Sequence, residues 1–137
     1  MSGHEIVTAG ELAEPIGYAH AVVAAPGRVV HLGGHTAMDA SGRIVGTTFA
    51  EQFEVALRNM VAAMRAAGCA PADLVSLQIF VTSMDEYRAS LRDLAPVWRA
   101  AFGRRYPAMG AFGVTALFDP DARVELMGVA VRPGAPS

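Results

Sequence analysis

The stretch Arg104-Arg105-Tyr106-Pro107-Ala108-Met109-Gly110 is the most informative part of this chain, because two strand-like runs follow it at close spacing. The runs extend from Ala111 to Leu117 and from Arg123 to Val131, and the turn Asp119-Pro120-Asp121 separates them. Short apolar runs bounded by Pro and Asp are typical of strands joined by a turn. We therefore expect the C-terminal part of the chain to form two adjacent strands.

Two helices separated by a strand are predicted upstream. Thr48-x-x-Glu51 is a capping-box pattern, after which apolar residues recur at helical spacing until Gly68. Leu74 to Thr82 alternates between apolar and polar residues, as a strand does.

The second helix is expected to begin after Ser83 and to end at Gly103, because Ser favours the N-cap and Gly favours the C-terminal cap. Pro96 lies inside this segment and lacks a backbone donor, so we expect it to kink or split the helix.

The N-terminal part is predicted to contain a hairpin, with strands from Tyr18 to Ala24 and from Arg28 to Gly34 around Pro26-Gly27. A two-residue loop would place three histidines and a tyrosine on one face: His20, His31, His35 and Tyr18. A bulge at the Pro-Gly turn would instead separate them. His31 and His35 would lie about 13 Å apart along one strand, so the cluster predicts no metal site.

The element order is β-β-β-α-β-α-β-β, counting a first strand near Glu5 to Thr8. This order predicts one α+β domain over residues 1–137, in which two helices cover one face of a single mixed sheet. Hydrophobic residues make up 53% of the chain and charged residues only 18%. A small monomer with this composition would expose apolar surface to water, and we therefore expect an oligomer that buries it.

The composition also argues against several classes of function. The net charge is -2 and every basic residue is Arg, which gives little support to nucleic-acid binding. The lone Cys69 suggests neither a disulfide nor a zinc site, and we expect no cofactor. No signal peptide or apolar run long enough to span a membrane is visible, so we expect a cytoplasmic protein without membrane contacts.

Four segments together resemble the Rid family of reactive-intermediate deaminases, also called the YjgF or endoribonuclease L-PSP family. They are Ile16 to Val22, Val30 to His35, Tyr106 to Gly110 and Val124 to Val131. The resemblance implies a chorismate-mutase-like fold and a homotrimer with clefts between neighbouring subunits. It further implies a small-molecule ligand in those clefts.

The chain departs from the family pattern at two positions that carry chemistry. Met109 stands where the family has an arginine that binds the substrate carboxylate, and a thioether cannot replace that bidentate ion pair. Met127 stands where the family has a glutamate that holds the attacking water. Glu125 remains two residues away, and it is either a water-activating group or a strand carboxylate that is solvated or paired with Arg123 or Arg28.

The resemblance nevertheless implies a pocket whose substrate-binding residues are Gly33, Gly34, Met109, Gly110, Ala111 and Met127. The proton-handling candidates are His35, whose ordinary pKa suits transfer near neutrality, and Tyr18. We expect a diverged enzyme that acts on an imine, enamine or carbonyl compound without the usual carboxylate clamp. The alternative is a non-catalytic binding or interaction protein that has lost deaminase activity. The ribonuclease activity attributed to some family members finds no basic face here.

Overall fold

A computed structural model describes residues 3–134 of the chain. Its strands are β1 (Glu5–Val7), β2 (Ala21–Val23), β3 (Gly27–His31), β4 (Leu74–Val81), β5 (Ala108–Gly113) and β6 (Val124–Pro133). Its helices are α1 (Phe49–Ala66) and α2 (Met84–Phe102), and a short 3-10 turn precedes β4. The predicted element order is confirmed, although β5 begins three residues earlier than expected and ends before Leu117.

Helix α1 begins and ends where the sequence predicts. The Thr48 hydroxyl accepts a hydrogen bond from the Glu51 N–H at 3.1 Å, and the Glu51 carboxylate accepts from the Thr48 N–H at 3.3 Å. The chain leaves the helix at Gly68, whose φ of 82° lies in the left-handed region that glycine tolerates. The capping box and the glycine together fix both ends of the helix.

Helix α2 also has its predicted caps, since the Ser83 hydroxyl accepts from the Glu86 N–H and Gly103 adopts a φ of 67°. Pro96 lies inside the helix but does not split it, because α2 continues through it from Met84 to Phe102. Pro96 removes one backbone donor, and Leu94 and Trp98 on either side of it are buried in the core, which holds the helix together there.

The main sheet has four strands in the order β3-β6-β4-β5. Strands β4 and β5 run parallel, whereas the other two pairings are antiparallel, so the sheet is mixed as expected. Both helices pack on one face of it, where Leu77, Ile79 and Leu126 are at most 1% exposed. The α+β architecture with two helices on one face of a mixed sheet is thus confirmed.

The opposite face of the sheet, which we call the open face, carries no helix. Exposed apolar side chains lie on it, including Val29 at 58%, Phe112 at 48% and Met127 at 45%. The Phe80 and Phe112 rings pack against each other there with centroids 5.8 Å apart. Side chains alternate in direction along β4 and β6, so every second one points away from the helices. This alternation explains why one face of the sheet is buried and the other is exposed.

The predicted N-terminal hairpin is wrong. Strand β2 pairs with β1, so that Val22 lies opposite Ile6, while β3 pairs with β6, so that His31 lies opposite Val129. The six strands therefore form a two-stranded and a four-stranded sheet rather than one. A Pro-Gly loop of two residues has the wrong twist for a hairpin, so the chain bends at Pro26 and each strand finds a more distant partner.

Candidate functional site

A groove of about 500 Å³ lies between helix α2 and the edge strand β5, and we call it the α2–β5 groove. Residues from both elements and from the segment before β2 line it. They are Ile16, Gly17, Tyr18, Phe53, Ile79, Tyr87, Leu91, Leu94, Ala95, Trp98, Tyr106, Met109, Gly110 and Ala111. Four predicted site residues are thus brought together here, namely Tyr18, Met109, Gly110 and Ala111.

The walls of the groove are aromatic and uncharged. All three tyrosines of the chain and its single tryptophan lie among the lining residues, which include no acidic or basic side chain. The Trp98 ring stacks on Tyr106 with centroids 5.5 Å apart and planes 6° apart, and its indole N–H donates to the Arg105 carbonyl at 3.1 Å. Stacking and this hydrogen bond hold the tryptophan in one orientation.

Gly33 and Gly34 form a bulge at the end of β3. His31 lies opposite Val129, but His35 lies opposite Leu126, so the β3 side holds one more residue than β6 between the two pairs. The His35 and Leu126 backbones exchange hydrogen bonds of 2.8 and 2.9 Å. Within residues 3–134 no carbonyl accepts from the exposed N–H groups of Gly33 and Gly34, which leaves both donors open to a ligand.

The Glu125 carboxylate lies directly against this bulge. A Cβ built on Gly34 would overlap Glu125 Oε2 and would approach Cδ to 2.9 Å, so only glycine leaves room for the carboxylate. The expected partner Arg123 instead donates to Glu86 at 3.4 Å, and the described chain offers Glu125 no ion pair. The Glu125 side chain is half-buried, and its carboxylate forms no ion pair with an arginine of the described chain.

His35 is half-buried beside Glu125. Desolvation lowers the pKa of His35 below its usual 6.5, and the nearby negative charge of Glu125 raises it by a smaller amount. The imidazole is consequently neutral at pH 7 and is able to accept a proton. Gly33, Gly34, His35 and Glu125 form one group, which we call the bulge site.

The bulge site and the α2–β5 groove are distant from each other within one subunit. The bulge continues the line of β3, and β6 and β4 lie between it and β5. Three strand spacings of about 4.8 Å give a separation of about 14 Å. The predicted site residues consequently fall into two groups that do not meet in a single chain.

Met127 belongs to neither group. It lies opposite Gln78 on the open face, whereas Met109 lies opposite Leu77 on the helix-covered face. The two methionines therefore do not meet within one subunit, because side chains alternate between the faces of a sheet along each strand.

The histidines do not share a face. The His20 Nδ1 accepts from the Ala9 N–H at 3.0 Å and its Nε2 lies 2.9 Å from the Ala13 carbonyl, so this ring holds the segment between β1 and β2. His31 lies exposed on the open face. The sequence analysis overlooked His4, which is 8% exposed and accepts from the Ala25 N–H through Nδ1 at 2.9 Å.

Sequence reasoning also overlooked part of the groove wall. The sequence analysis gave no role to four residues of α2 that face β5 in the structure, namely Tyr87, Leu91, Leu94 and Trp98. Their spacing of three to four residues shows that they share a face, and the concentration of tyrosine and tryptophan there is the signal that could have identified the wall.

Two further observations concern metals and membranes. Among residues 3–134, no group of three or more His, Cys, Asp or Glu side chains is arranged to hold a metal ion. The helices of this part of the chain are too short or too polar to cross a bilayer.

The structure is a small α+β domain with two separate groups of candidate site residues, and comparison with known proteins identifies its family. The sequence profile of the family described as endoribonuclease L-PSP matches residues 8–132. The chain is 27% identical to the 2-iminobutanoate/2-iminopropanoate deaminase of Homo sapiens over 77% of this chain and 74% of that one. The deaminase of the same name from Dermatophagoides farinae is 29% identical over 96% and 98%.

Among solved structures, the Rid family protein YyfB of Yersinia pestis superposes with a TM-score of 0.84. It is 29% identical and covers 96% of this chain and 99% of its own. The chain therefore belongs to the Rid/YjgF family, as the sequence resemblance indicated. Membership supports an imine-deaminase-like or small-molecule-binding role.

Proposed function

We propose that this protein is a homotrimer whose three pockets lie between subunits and accept an imine, enamine or carbonyl compound that lacks an α-carboxylate. One subunit supplies the α2–β5 groove with Tyr18 and Met109, and its neighbour supplies the bulge site. The observation that carries the proposal is the uncharged groove around Met109, which offers no cation to a carboxylate.

The separation of the two groups supports the intersubunit arrangement. Within one chain about 14 Å divides the groove from the bulge, too far for one small substrate to contact both. The exposed apolar side chains on the open face provide a surface for other copies to cover, and Met127 at 45% exposure is among them. A second copy that covers this face brings its own edge strand towards Met127 and the bulge.

The chemistry assigned to the pocket is hydrolysis of a carbon–nitrogen double bond. Water adds to the imine carbon and loses a proton to neutral His35, while the nitrogen takes up a proton from the Tyr18 hydroxyl. In the resulting carbinolamine the nitrogen takes the proton from His35 and leaves as ammonia, while the hydroxyl gives its proton to the Tyr18 oxygen and becomes the carbonyl. Both side chains return to their starting states, and one water is consumed for each ammonia released. The N–H groups of Gly33 and Gly34 donate to the polar atoms of the substrate.

The second candidate is a binding protein without catalysis. It is favoured by Met127, which can neither orient nor deprotonate water at the position that a glutamate occupies in the family. The two candidates differ in whether His35 changes a rate or only an affinity.

The test is ammonia release from a carboxylate-free imine, generated continuously by enzymatic oxidation of a primary amine that carries no carboxylate, measured against pH for the parent chain and for His35→Gln. We expect the parent chain to hydrolyse the imine with a pH dependence set by a group that titrates below pH 6.5. In His35→Gln this dependence should disappear, and the rate should fall at least about tenfold. Equal turnover in both proteins would remove the catalytic role of His35. Retained ligand affinity with no turnover in either would establish the binding protein instead.

A further inference from the structure

The α2–β5 groove extends well beyond the residues that Proposed function uses. Its wall on the α2 side is formed by residues that include Tyr87, Leu91 and Trp98, none of which the proposed function uses. The volume of about 500 Å³ lies in the range of about 300–1,000 Å³ that is typical of pockets for ligands of drug size. The groove therefore has room for a substituent much larger than the side chain of such an imine.

The polar groups of the groove are phenols. Among the described residues 3–134, the hydroxyls of Tyr18, Tyr87 and Tyr106 have no hydrogen-bond partner, although Tyr87 is half-buried. Burial raises the pKa of Tyr87, so its hydroxyl keeps its proton and donates at neutral pH. The indole N–H of Trp98 is already bound to the Arg105 carbonyl, and its ring packs against Phe102 and Tyr106 and is only 5% exposed, so Trp98 offers a ligand no hydrogen bond.

The lack of charged side chains in the groove restricts the ligand further. A carboxylate or ammonium group inside it would lose its hydration without gaining a counter-ion from the lining residues. A carbonyl oxygen or an imine nitrogen, in contrast, accepts a hydrogen bond from a phenol at no such cost. Aromatic rings and the Met109 thioether favour a planar ring over an aliphatic chain of equal size.

We propose that the α2–β5 groove binds an uncharged aryl ketone or aryl imine, with the ring between α2 and Met109 and the polar atom at the tyrosine hydroxyls. The choice of reacting group rests on the proposed function, but the groove lies within one subunit and binds its ligand whether or not the trimer forms.

The experiment measures three probes by titration calorimetry on the full chain: acetophenone, cyclohexyl methyl ketone and benzoate. Emission of Trp98, the single tryptophan, reports occupancy of the groove in parallel. We expect acetophenone to bind roughly 2- to 10-fold more tightly than the cyclohexyl ketone, because contact between aromatic rings adds to the binding free energy that burial of the ligand provides. Benzoate should bind at least about tenfold more weakly than acetophenone.

A matched pair of variants tests the location. Met109→Arg places a guanidinium in the groove and should improve benzoate binding at least about tenfold. Ala62→Arg adds the same charge on the exposed side of α1 and should leave the order of the three probes unchanged. If Met109→Arg does not fold, the relative affinities of the three probes for the parent chain still test the proposal.

The inference is overturned if the parent chain binds acetophenone no more tightly than the cyclohexyl ketone, or if benzoate binds as well as acetophenone. Either result leaves the proposed function intact, provided that the protein is a trimer that turns over a small aliphatic imine. A monomer that still prefers acetophenone would contradict the intersubunit pocket and support the groove.

Discussion

Met109 and Met127 lie on opposite faces of one sheet, because they pair with neighbouring residues of the strand between them. Met109 is aligned with Leu77 and so faces the helices, whereas Met127 is aligned with Gln78 on the open face. Two positions that the family uses for a single reaction are thus separated by the thickness of the sheet within one subunit. In the proposed intersubunit pocket a second subunit contributes one of the two positions, and this arrangement can be tested by mixing subunits.

We predict that the parent chain hydrolyses 2-iminobutanoate negligibly, because neither a carboxylate-binding arginine nor a water-holding glutamate is present. The double variant Met109→Arg/Met127→Glu should raise the rate at least about tenfold, since it supplies both groups. Ammonia release from enzymatically generated 2-iminobutanoate is the measurement. Activity in the parent chain equal to that of the double variant would show that the roles assigned to the two methionines are wrong.

Mixing of the two single variants tests whether one pocket uses two subunits. Homotrimers of Met109→Arg or of Met127→Glu hold only one of the two groups in every pocket. After co-refolding in equal amounts, about one quarter of the pockets hold both groups if these come from neighbouring subunits. We expect about a quarter of the activity of the double variant. An active double variant with an inactive mixture would place both groups in the same subunit.

The second prediction is that the protein is a trimer at micromolar concentration. The open face exposes Val29, Phe112 and Met127, each to at least 45%, and burying such a surface favours association. Multi-angle light scattering measures the mass directly. The variant Phe112→Glu should shift the protein towards the monomer, because it introduces a charge into the buried contact, whereas Ala62→Glu on α1 should not. A monomeric parent chain would remove the intersubunit pocket.

The helices were predictable because their signals are local. The Thr48–Glu51 capping box and the positive-φ Gly68 and Gly103 each act within one turn of the helix that they end, so sequence spacing alone defines them. The hairpin was not predictable for the opposite reason. Whether Val22 pairs with the next strand or with Ile6 depends on the competition between two partners, and the sequence shows the alternation of both strands but not their choice.

The candidate site was predictable only in part, on the same grounds. Tyr18, Met109, Gly110 and Ala111 meet at β5 as the family resemblance implies, since they lie close to one another across one strand edge. The contact of Glu125 with Gly34 depends on a one-residue bulge, and the inward orientation of the Trp98 face depends on how α2 packs against the sheet. The bulge leaves no mark in a single sequence, and the aromatic residues of α2 show that they share a face but not which strand that face approaches.

The third prediction concerns the pH dependence of stability. Burial lowers the pKa of His35 in the folded protein below 6.5, so the unfolded chain binds a proton there more readily. The free energy of unfolding should therefore fall as the pH drops below about 6.5 and stop falling below the folded pKa. His35→Gln should remove this part of the decline, measured as the shift in urea midpoint between pH 7.5 and pH 5. An unchanged shift would show that His35 is not desolvated.

The last prediction uses two neighbouring glycines as a matched pair. Gly34→Ala should displace the Glu125 carboxylate, because the new methyl group occupies its position, whereas Gly33→Ala meets no atom within 4 Å. Glu125 raises the pKa of His35, so its displacement should lower that pKa further in Gly34→Ala and leave it unchanged in Gly33→Ala. NMR titration of the His35 ring protons measures both. The carboxylate is the far end of a flexible side chain, so the loss of stability should stay below about 1 kcal/mol. Equal pKa values in the parent chain and both variants would mean that Glu125 does not contact the bulge. If the pKa of His35 instead falls in Gly34→Ala alone, turnover that falls in the same variant would place the carboxylate, together with His35, at the reacting group.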